Sequence, residues 1–516
     1  MEEKYLLGID VGTYSTKGVL TTPEGEVLHQ HVVEHEPSFP KPGWVEHDAD
    51  KIWWGEVVAV CHAMRDAGFD MSRIGAMAVS AIGPCILPID ESGTPLRPGM
   101  LYGMDTRAHE EIDWLNNEFG EDAIFELGGM ALTSQAMGPK ILWLKRNEPD
   151  VYAKTHKILT ASGYLIYKLT GEFVIDKHTG AHYNPLVDIN TLEWDDRFAD
   201  PIIEMDKLPK LMWSTEIAGH VSDAAAEETG VPAGTPVTAG TVDAAAEAVS
   251  VGAIQPGDLM VMYGTSMFFI LVTEKTVPDP KVWSTGFVFP ETRNIAGGMS
   301  ASGALTRWFR DQLGQPEMTA EADGGPNAYA ALAKLAASTP AGADGLVCLP
   351  YFAGERTPIH DPNARGVFAG LTLSHTRAHM YRSVLEGTAF GVRHNIETLR
   401  EIGAEPQRIV AVGGGAKNEL WLQIVSDVAG IPQVVPNQTI GAAYGDAFLA
   451  GLASGIIPDV SVLTDTWIEA KTVIEPNTKV ADVYDDTFAV YRSLYEHAKD
   501  DLHALAKLGA GLGEND

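Results

Sequence analysis

The sequence predicts a two-domain α/β protein in which each domain is built around an apolar hairpin closed by a glycine-threonine turn. Three observations carry this. Residues 5–20 read as an apolar strand, a tight turn at Gly12-Thr13 and a returning strand. Residues 259–272 repeat that pattern about half a chain later, around Gly264-Thr265. Strand-like and helically periodic segments alternate elsewhere, the signature of an α/β chain. A length of 516 residues is enough for two domains that each bury a full core. The boundary falls near 250–257, giving domains of 1–252 and 253–516. No low-complexity linker separates them, so close coupling is expected.

Each element has a local reason. Strand, turn and strand cover 4–34, with Pro23-Glu24-Gly25 as the second hairpin turn. After a proline-rich loop, Asp48 is placed to cap a helix from about 50 to 67. Ile74 to Ser80 and Cys85 to Asp90 read as short buried strands, and helical periodicity returns at 107–119, 138–147 and 161–169. Residues 234–240 form a strand ending in glycine, and Asp243 opens an alanine-rich helix. Arg408 to Val412 is a strand, followed by the glycine turn 413–418 and a helix from Leu420 to Ala429. Gly509 to Asp516 reads as a frayed tail.

Composition narrows the function. Seventy acids against 37 lysines and arginines give a formal charge of −33. This argues against nucleic acid or an anionic membrane as partner, and the acidic surface is read as an aid to solubility. Cys61, Cys85 and Cys348 lie far apart, without CxxC spacing, and read as buried reduced thiols. The opening Met-Glu-Glu-Lys lacks signal-peptide order, and no apolar run reaches the roughly 20 residues of a membrane span. The expected location is the cytoplasm.

The chemistry concentrates in the two hairpins. In Asp10-Val11-Gly12-Thr13-Tyr14-Ser15-Thr16-Lys17, glycine lets the backbone pass close to a ligand. Backbone N–H groups and the hydroxyls of Thr13 and Ser15 make an anion cradle. Asp10 beside such a cradle implies a bound Mg²⁺ between acid and phosphate. The alternative is an ordinary hairpin with a glycine turn. Lys17 either offsets phosphate charge or is a solvated lysine. The turn 413–418 places backbone N–H groups at a helix N-terminus, suited to a phosphate or ribose edge, but lacks the GxGxxG order. His375, His379 and His394 have no metal-ligand spacing and read as structural or surface groups.

Together these pieces resemble the FGGY carbohydrate kinases, in the superfamily that also holds hexokinase, actin and the ATPase domains of heat-shock chaperones. The resemblance spans about residues 5–455. It rests on Asp10-x-Gly12-Thr13-x-Ser15-x-Lys17; on Gly43-Trp44-Val45-Glu46-His47-Asp48; and on Gly240-x-x-Asp243 leading to Tyr263-Gly264-Thr265-Ser266. It rests also on Gly366-Val367-Phe368-Ala369-Gly370-Leu371 with His379-Met380 and Ser383-Val384-Leu385-Glu386, and on the glycine turn with Trp421 and Gln423. The resemblance implies two ribonuclease-H-like domains flanking a deep nucleotide and sugar cleft. It implies transfer of the γ-phosphate of Mg-ATP to a hydroxyl of a ketose or polyol, with little ATP hydrolysis when sugar is absent. Relatives are often dimers, which implies a homodimer.

Residue by residue, Asp243 is the implied base. The helix N-terminus should keep it ionised at neutral pH, a weak base that accepts the proton late. The alternative is a plain helix N-cap. Asp10 is the implied Mg²⁺ partner. Gly12, Thr13 and Ser15, with Lys17, are the implied phosphate contacts of one domain, and Gly264 and Thr265 those of the other. Gly414, Gly415 and Asn418 are the implied adenosine or α-phosphate contacts. Gly303, in Ser302-Gly303-Ala304, resembles the small-residue helix beside the nucleotide; the alternative is close packing. Glu386 matches the signature but reads as structural. Trp44, Asp105, Arg107 and Asp243 are the implied sugar contacts, with packing the alternative for Trp44 and an acid pair for Arg107.

The substrate is less clear in the text. The xylulose-kinase-like branch usually carries Gln-Met-His-Gly after the strand ending here at Ser80, and its sugar-contacting His aligns with Pro84. Met137 and Ile440 are further departures. The expected substrate is a pentulose, pentitol or tetritol, D-xylulose first. Two readings from other classes remain at this point: a chaperone or filament ATPase, and an idle sugar sensor.

Overall fold

The computed structural model describes residues 4–437 and 439–512. It divides into two compact units: 1–254 with 272–294 and 438–469, and 255–271 with 295–437 and 470–516.

The first unit is organised by a mixed sheet. Its strands are β1 (Tyr5–Val11), β2 (Ser15–Thr21), β3 (Val27–Glu34), β4 (Ile74–Ala81), β5 (Ile217–His220), β6 (Pro236–Thr238) and β7 (Thr241–Val242). The order is β5-β6-β4-β1-β2-β3, with β7 also paired to β4. β1 and β2 are antiparallel with Asp10 opposite Lys17, whereas β1 and β4 are parallel with Asp10 opposite Ser80. β7 runs parallel to β4 with Thr241 opposite Ser80. The carboxyl ends of β1, β4 and β7 therefore bring Asp10, Ser80 and the start of the helix Asp243–Ser250 to one edge.

Adjacent positions on a strand face opposite ways, and two glycines use this. A Cβ at Gly18 would lie 2.1 Å from Val60 Cγ1 of the helix Gly55–Asp66 on one face. A Cβ at Gly8 would lie 1.9 Å from the carbonyl oxygen of Ala443, in the helix Ala442–Ala453, on the other. Gly445 of that helix meets the Asp243–Ser250 helix equally closely, its Cβ falling 2.1 Å from the Ala246 carbonyl. The sheet is thus clamped between helices at backbone distance. A second apolar cluster, including Leu115, Ile141, Tyr183 and Ile202, supports the helical insertion between β4 and β5.

The second unit repeats the plan. β8 (Asp258–Tyr263) and β9 (Met267–Thr273) form an antiparallel hairpin, followed by β10 (Arg293–Met299), β11 (Arg408–Val412), β12 (Gln433–Pro436) and β13 (Ala470–Ile474). β8 pairs parallel with β11, as β1 does with β4. The repeat expected from the two glycine-threonine turns is present as topology. The buried helix Arg377–Glu401 covers this unit's core.

Most expected elements are in place. The Asp48 side chain accepts from the Lys51 N–H and opens a helical segment that continues to Asp66. The three cysteines are free and buried. Among the described residues no helix is long and apolar enough to cross a membrane. The frayed tail is a correction: the helix Ala481–Leu512 runs on through Gly509, and residues 513–516 lie outside the described residues.

Candidate active site

In the first unit, the turn after β1 closes through the Gly12 N–H donating to the Ser15 carbonyl at 2.9 Å. Thr13 Oγ1 meets the Tyr102 hydroxyl at 3.2 Å. His35 braces the turn from below, with Nε2 3.2 Å from the Gly12 carbonyl and Nδ1 2.8 Å from Glu56. Beside it, burial and the neighbouring His35 depress His47 to about 4, so His47 stays neutral. Lys17 is exposed and directs its charge toward Asp10, Asp243 and Glu247.

Asp10 is buried, and that burial raises it to about 6 against the opposing pull of Lys17 and Ser80. Asp243 occupies the first position of its helix. The N-cap is Val242, and the Asp243 carboxylate accepts the Ala244 N–H at 2.7 Å. Desolvation, then the charge of Asp10, pushes Asp243 up to about 8. This corrects the expectation that the helix N-terminus would keep it ionised. One backbone N–H and a helix dipole contribute less than enclosure beside another acid takes away.

Sequence reasoning missed three members of this group. Glu247 lies one helical turn beyond Asp243 on the same face, and burial, then Asp10, raises it to about 7. Ser80 and Asp446 sit beneath Asp10, the Ser80 hydroxyl 3.1 Å from Asp10 and 2.6 Å from Asp446. Three of these carboxyl groups, Asp10, Asp243 and Glu247, feel the charge of exposed Lys17, and Asp446 lies behind Ser80. Among the described residues no group of three or more acids, histidines or cysteines has the geometry to hold a metal ion by itself. Mg²⁺ is typically held by one or two carboxylates, water and substrate phosphates, so this donor set fits it.

The implied sugar contacts stand differently. Asp105 has no exposed surface. Its Oδ2 accepts the Val45 N–H at 2.7 Å, and both oxygens accept from Arg107 Nε at 2.9 and 3.0 Å. Arg107 also pairs with Glu46 at 2.8 Å, and its side chain is fully buried. Its guanidinium lies 3.9 Å from the Trp44 ring, which packs edge-on against Trp143. Asp105 and Arg107 form a buried ion pair walled by half-buried Trp44, which is the acid pair the sequence left open for Arg107, and Arg107 Nη1 keeps no hydrogen-bond partner among the described residues. Lys140 is likewise engaged, donating to the carbonyls of Leu101 and Tyr102 at 2.6 and 2.7 Å, with burial lowering it to about 8. Pro84 is buried, and Gly83 before it packs on Val242, next to Asp243.

In the second unit, Thr265 is exposed at the tip of the β8–β9 turn. The N-terminus of the helix Gly303–Leu313 docks onto that turn. Gly303 N–H donates to the Gly264 carbonyl at 3.0 Å, and Ala304 N–H to that of Thr265 at 2.8 Å. A Cβ at Gly303 would lie 2.3 Å from the Gly264 carbonyl oxygen, which is backbone and cannot swing aside. Gly303→Ala should therefore displace the turn and raise the KM for ATP by roughly tenfold or more. Steady-state kinetics with ATP varied checks this; an unchanged KM would remove the turn from nucleotide binding. In the other loop, Gly414 is exposed with open space around it, and Gly415 packs on Trp421 and Tyr263. Asn418 caps the helix Glu419–Ala429 by accepting the Trp421 N–H at 3.2 Å. Glu386 is buried against Arg382 at 2.7 Å and the Gly342 N–H at 3.0 Å, a structural role as expected.

Residues 5–250 match the N-terminal domain of the FGGY family of carbohydrate kinases, and residues 259–454 match its C-terminal domain. A gluconokinase of Bacillus subtilis (strain 168) is 29% identical over 89% of this chain and 90% of its own. A xylulose kinase of Staphylococcus xylosus is 25% identical over 95% of this chain and 100% of its own. The crystal structure of xylulose kinase from Rhodospirillum rubrum superposes with a TM-score of 0.90 at 30% identity, covering 97% of this chain and 100% of that one.

Proposed function

The chain belongs to the FGGY family of carbohydrate kinases, and from that premise we propose that it transfers the γ-phosphate of Mg-ATP to a hydroxyl of a pentulose, D-xylulose first. It is a phosphotransferase with an alcohol as acceptor; the acceptor's identity is the proposed part. The observation that carries the assignment of roles is Asp243, raised to about 8 next to Asp10 at the edge of the sheet. Phosphoryl transfer needs a positioned hydroxyl, a proton acceptor and neutralised phosphate charge. Asp243 accepts the hydroxyl proton. A carboxylate of raised basicity, once ionised, is better matched to that task than an ordinary one. Gly12, Thr13 and Ser15, with Lys17, hold the phosphates. Gly264, Thr265 and Gly303 form the other phosphate turn, and Gly414, Gly415 and Asn418 the nucleoside loop. Asp10 holds Mg²⁺, which when bound supplies charge neutralisation at the phosphates.

Several relatives are named xylulose kinases, which supports the pentulose over a polyol.

The test is ADP release from Mg-ATP across ketoses, polyols and gluconate, with Asp243→Asn alongside. The expected result is one pentulose far above the rest and sugar-free turnover a small fraction of that rate. A polyol or gluconate winner would overturn the acceptor. Sugar-free turnover equal to the best stimulated rate would mean that water is the acceptor and that the chain works as an ATPase.

A further inference from the structure

Beneath Asp10 lies a chain of two hydrogen bonds that the transfer chemistry above does not use. Ser80 stands opposite Asp10 in the β1–β4 pairing, and its hydroxyl contacts Asp10 Oδ1 at 3.1 Å and Asp446 Oδ2 at 2.6 Å. A serine hydroxyl carries one proton. It can donate to only one of two carboxyl groups, so the other contact needs a proton from the carboxyl side. Asp446 is the group that supplies it. It is fully buried, and its second oxygen, Oδ1, has no hydrogen-bond partner. An ionised carboxylate with an orphan oxygen in that setting is far costlier than a neutral acid. The direction of the chain follows: Asp446 Oδ2–H donates to Ser80 Oγ, and Ser80 Oγ–H donates to Asp10 Oδ1.

We propose that Asp446, acting through Ser80, is the positioning residue that fixes which oxygen of Asp10 is turned toward the bound cation. Asp446 does not touch substrate or metal. It sets the Ser80 rotor, which occupies Asp10 Oδ1 and leaves Oδ2 for the ion. The placement is rigid because the helix Ala442–Ala453 lies on β1 at backbone distance, with a Gly8 Cβ position only 2.9 Å from Asp446 Cβ. The same helix touches the Asp243–Ser250 helix at Gly445, so Asp10 and Asp243 are registered on one support. Outer partners of metal-binding carboxylates typically change metal affinity by 10- to 100-fold when removed.

This inference rests on the reading of Asp10 as the Mg²⁺ partner, and the experiment separates the two. Mn²⁺ is used in place of Mg²⁺, and its affinity for the protein–ADP complex is read by electron paramagnetic resonance. Unfolding temperature is followed in parallel. The variants are Asp10→Asn, Ser80→Ala, Asp446→Leu, Asp446→Asn and the Ser80→Ala/Asp446→Leu double. Asp10→Asn should weaken Mn²⁺ strongly; if it does not, the Asp10 reading itself fails. Given that loss, Ser80→Ala and Asp446→Leu should each weaken Mn²⁺ by about tenfold or more, and the double no further, because both break one chain. Asp446→Asn is the decisive variant. Its amide N–H₂ donates to Ser80 as the neutral acid does, so it should recover most of the affinity that leucine loses. The inference is overturned if Ser80→Ala or Asp446→Leu lowers only the unfolding temperature. It is equally overturned if asparagine is as damaging as leucine.

Discussion

Asp243→Asn is expected to lower kcat by about 10³-fold while leaving ADP affinity within about twofold, since loss of a positioned general base typically costs 10²- to 10⁴-fold. Asparagine keeps the shape of the side chain and still accepts the Ala244 N–H through its carbonyl oxygen, so the helix start is preserved. It cannot take a proton from an alcohol. The structure sharpens this prediction, because Asp243 is the first residue of its helix and the cap is Val242. A merely structural aspartate would keep both stability and turnover on this substitution, because asparagine caps a helix as well as aspartate does. Single-turnover phosphate transfer, with ADP binding and unfolding temperature measured on the same preparations, distinguishes the two. Turnover within tenfold of the parent would remove Asp243 as the base.

The second large effect is with pH. Asp243 is raised to about 8 by enclosure and by Asp10, so the unliganded protein holds it protonated at neutral pH. Only the ionised form accepts the substrate proton. kcat/KM should therefore rise about tenfold per unit as pH climbs toward 8 and level off above it. Removing the Asp10 charge, or placing a divalent cation beside it, stabilises the ionised form, so higher Mg²⁺ should move the midpoint to lower pH. A profile that is flat from pH 6 to 9 at low Mg²⁺ would contradict this. Stability has the matching sign. A carboxyl raised above its usual 3.8 in the folded state favours folding below that value, and the advantage is lost as pH rises through about 8. Asp10 and Glu247, raised to about 6 and about 7, act in the same sense over a lower window. The unliganded protein should lose thermal stability from about pH 4 and level off above about 8, and Mg²⁺ should restore more of it at the upper end.

What could be read from the amino-acid text was local. The Asp10–Lys17 turn, the 259–272 hairpin and the Asp243 helix are each specified within a dozen residues, by apolar runs that end in glycine. The errors lie where the deciding neighbour is distant. The helix dipole at Asp243 is visible in sequence, but the Asp10 charge and the desolvation that outweigh it are tertiary. Asp105 and Arg107 have the residue types of ligand contacts, and nothing local reveals that Val45, Glu46 and Trp44 fold around them. Asp446 joins Ser80 across 366 positions, so no motif window could contain both.

The helix Ala442–Ala453 carries one more consequence, for the birth of the protein on the ribosome. β1 emerges well before the helix that covers its Gly8 face, which is encoded some 430 residues later. Tyr444 of that helix donates its hydroxyl to the Gly25 carbonyl, and Trp467, whose indole N–H donates to the Pro23 carbonyl, arrives later still. At typical elongation rates of about 5–20 residues per second, that face waits on the order of tens of seconds for its cover. The nascent first unit is thus an apolar sheet in search of a lid throughout translation. A cell making this chain must shield that surface, and a fragment ending at residue 254 would carry the same exposed sheet permanently.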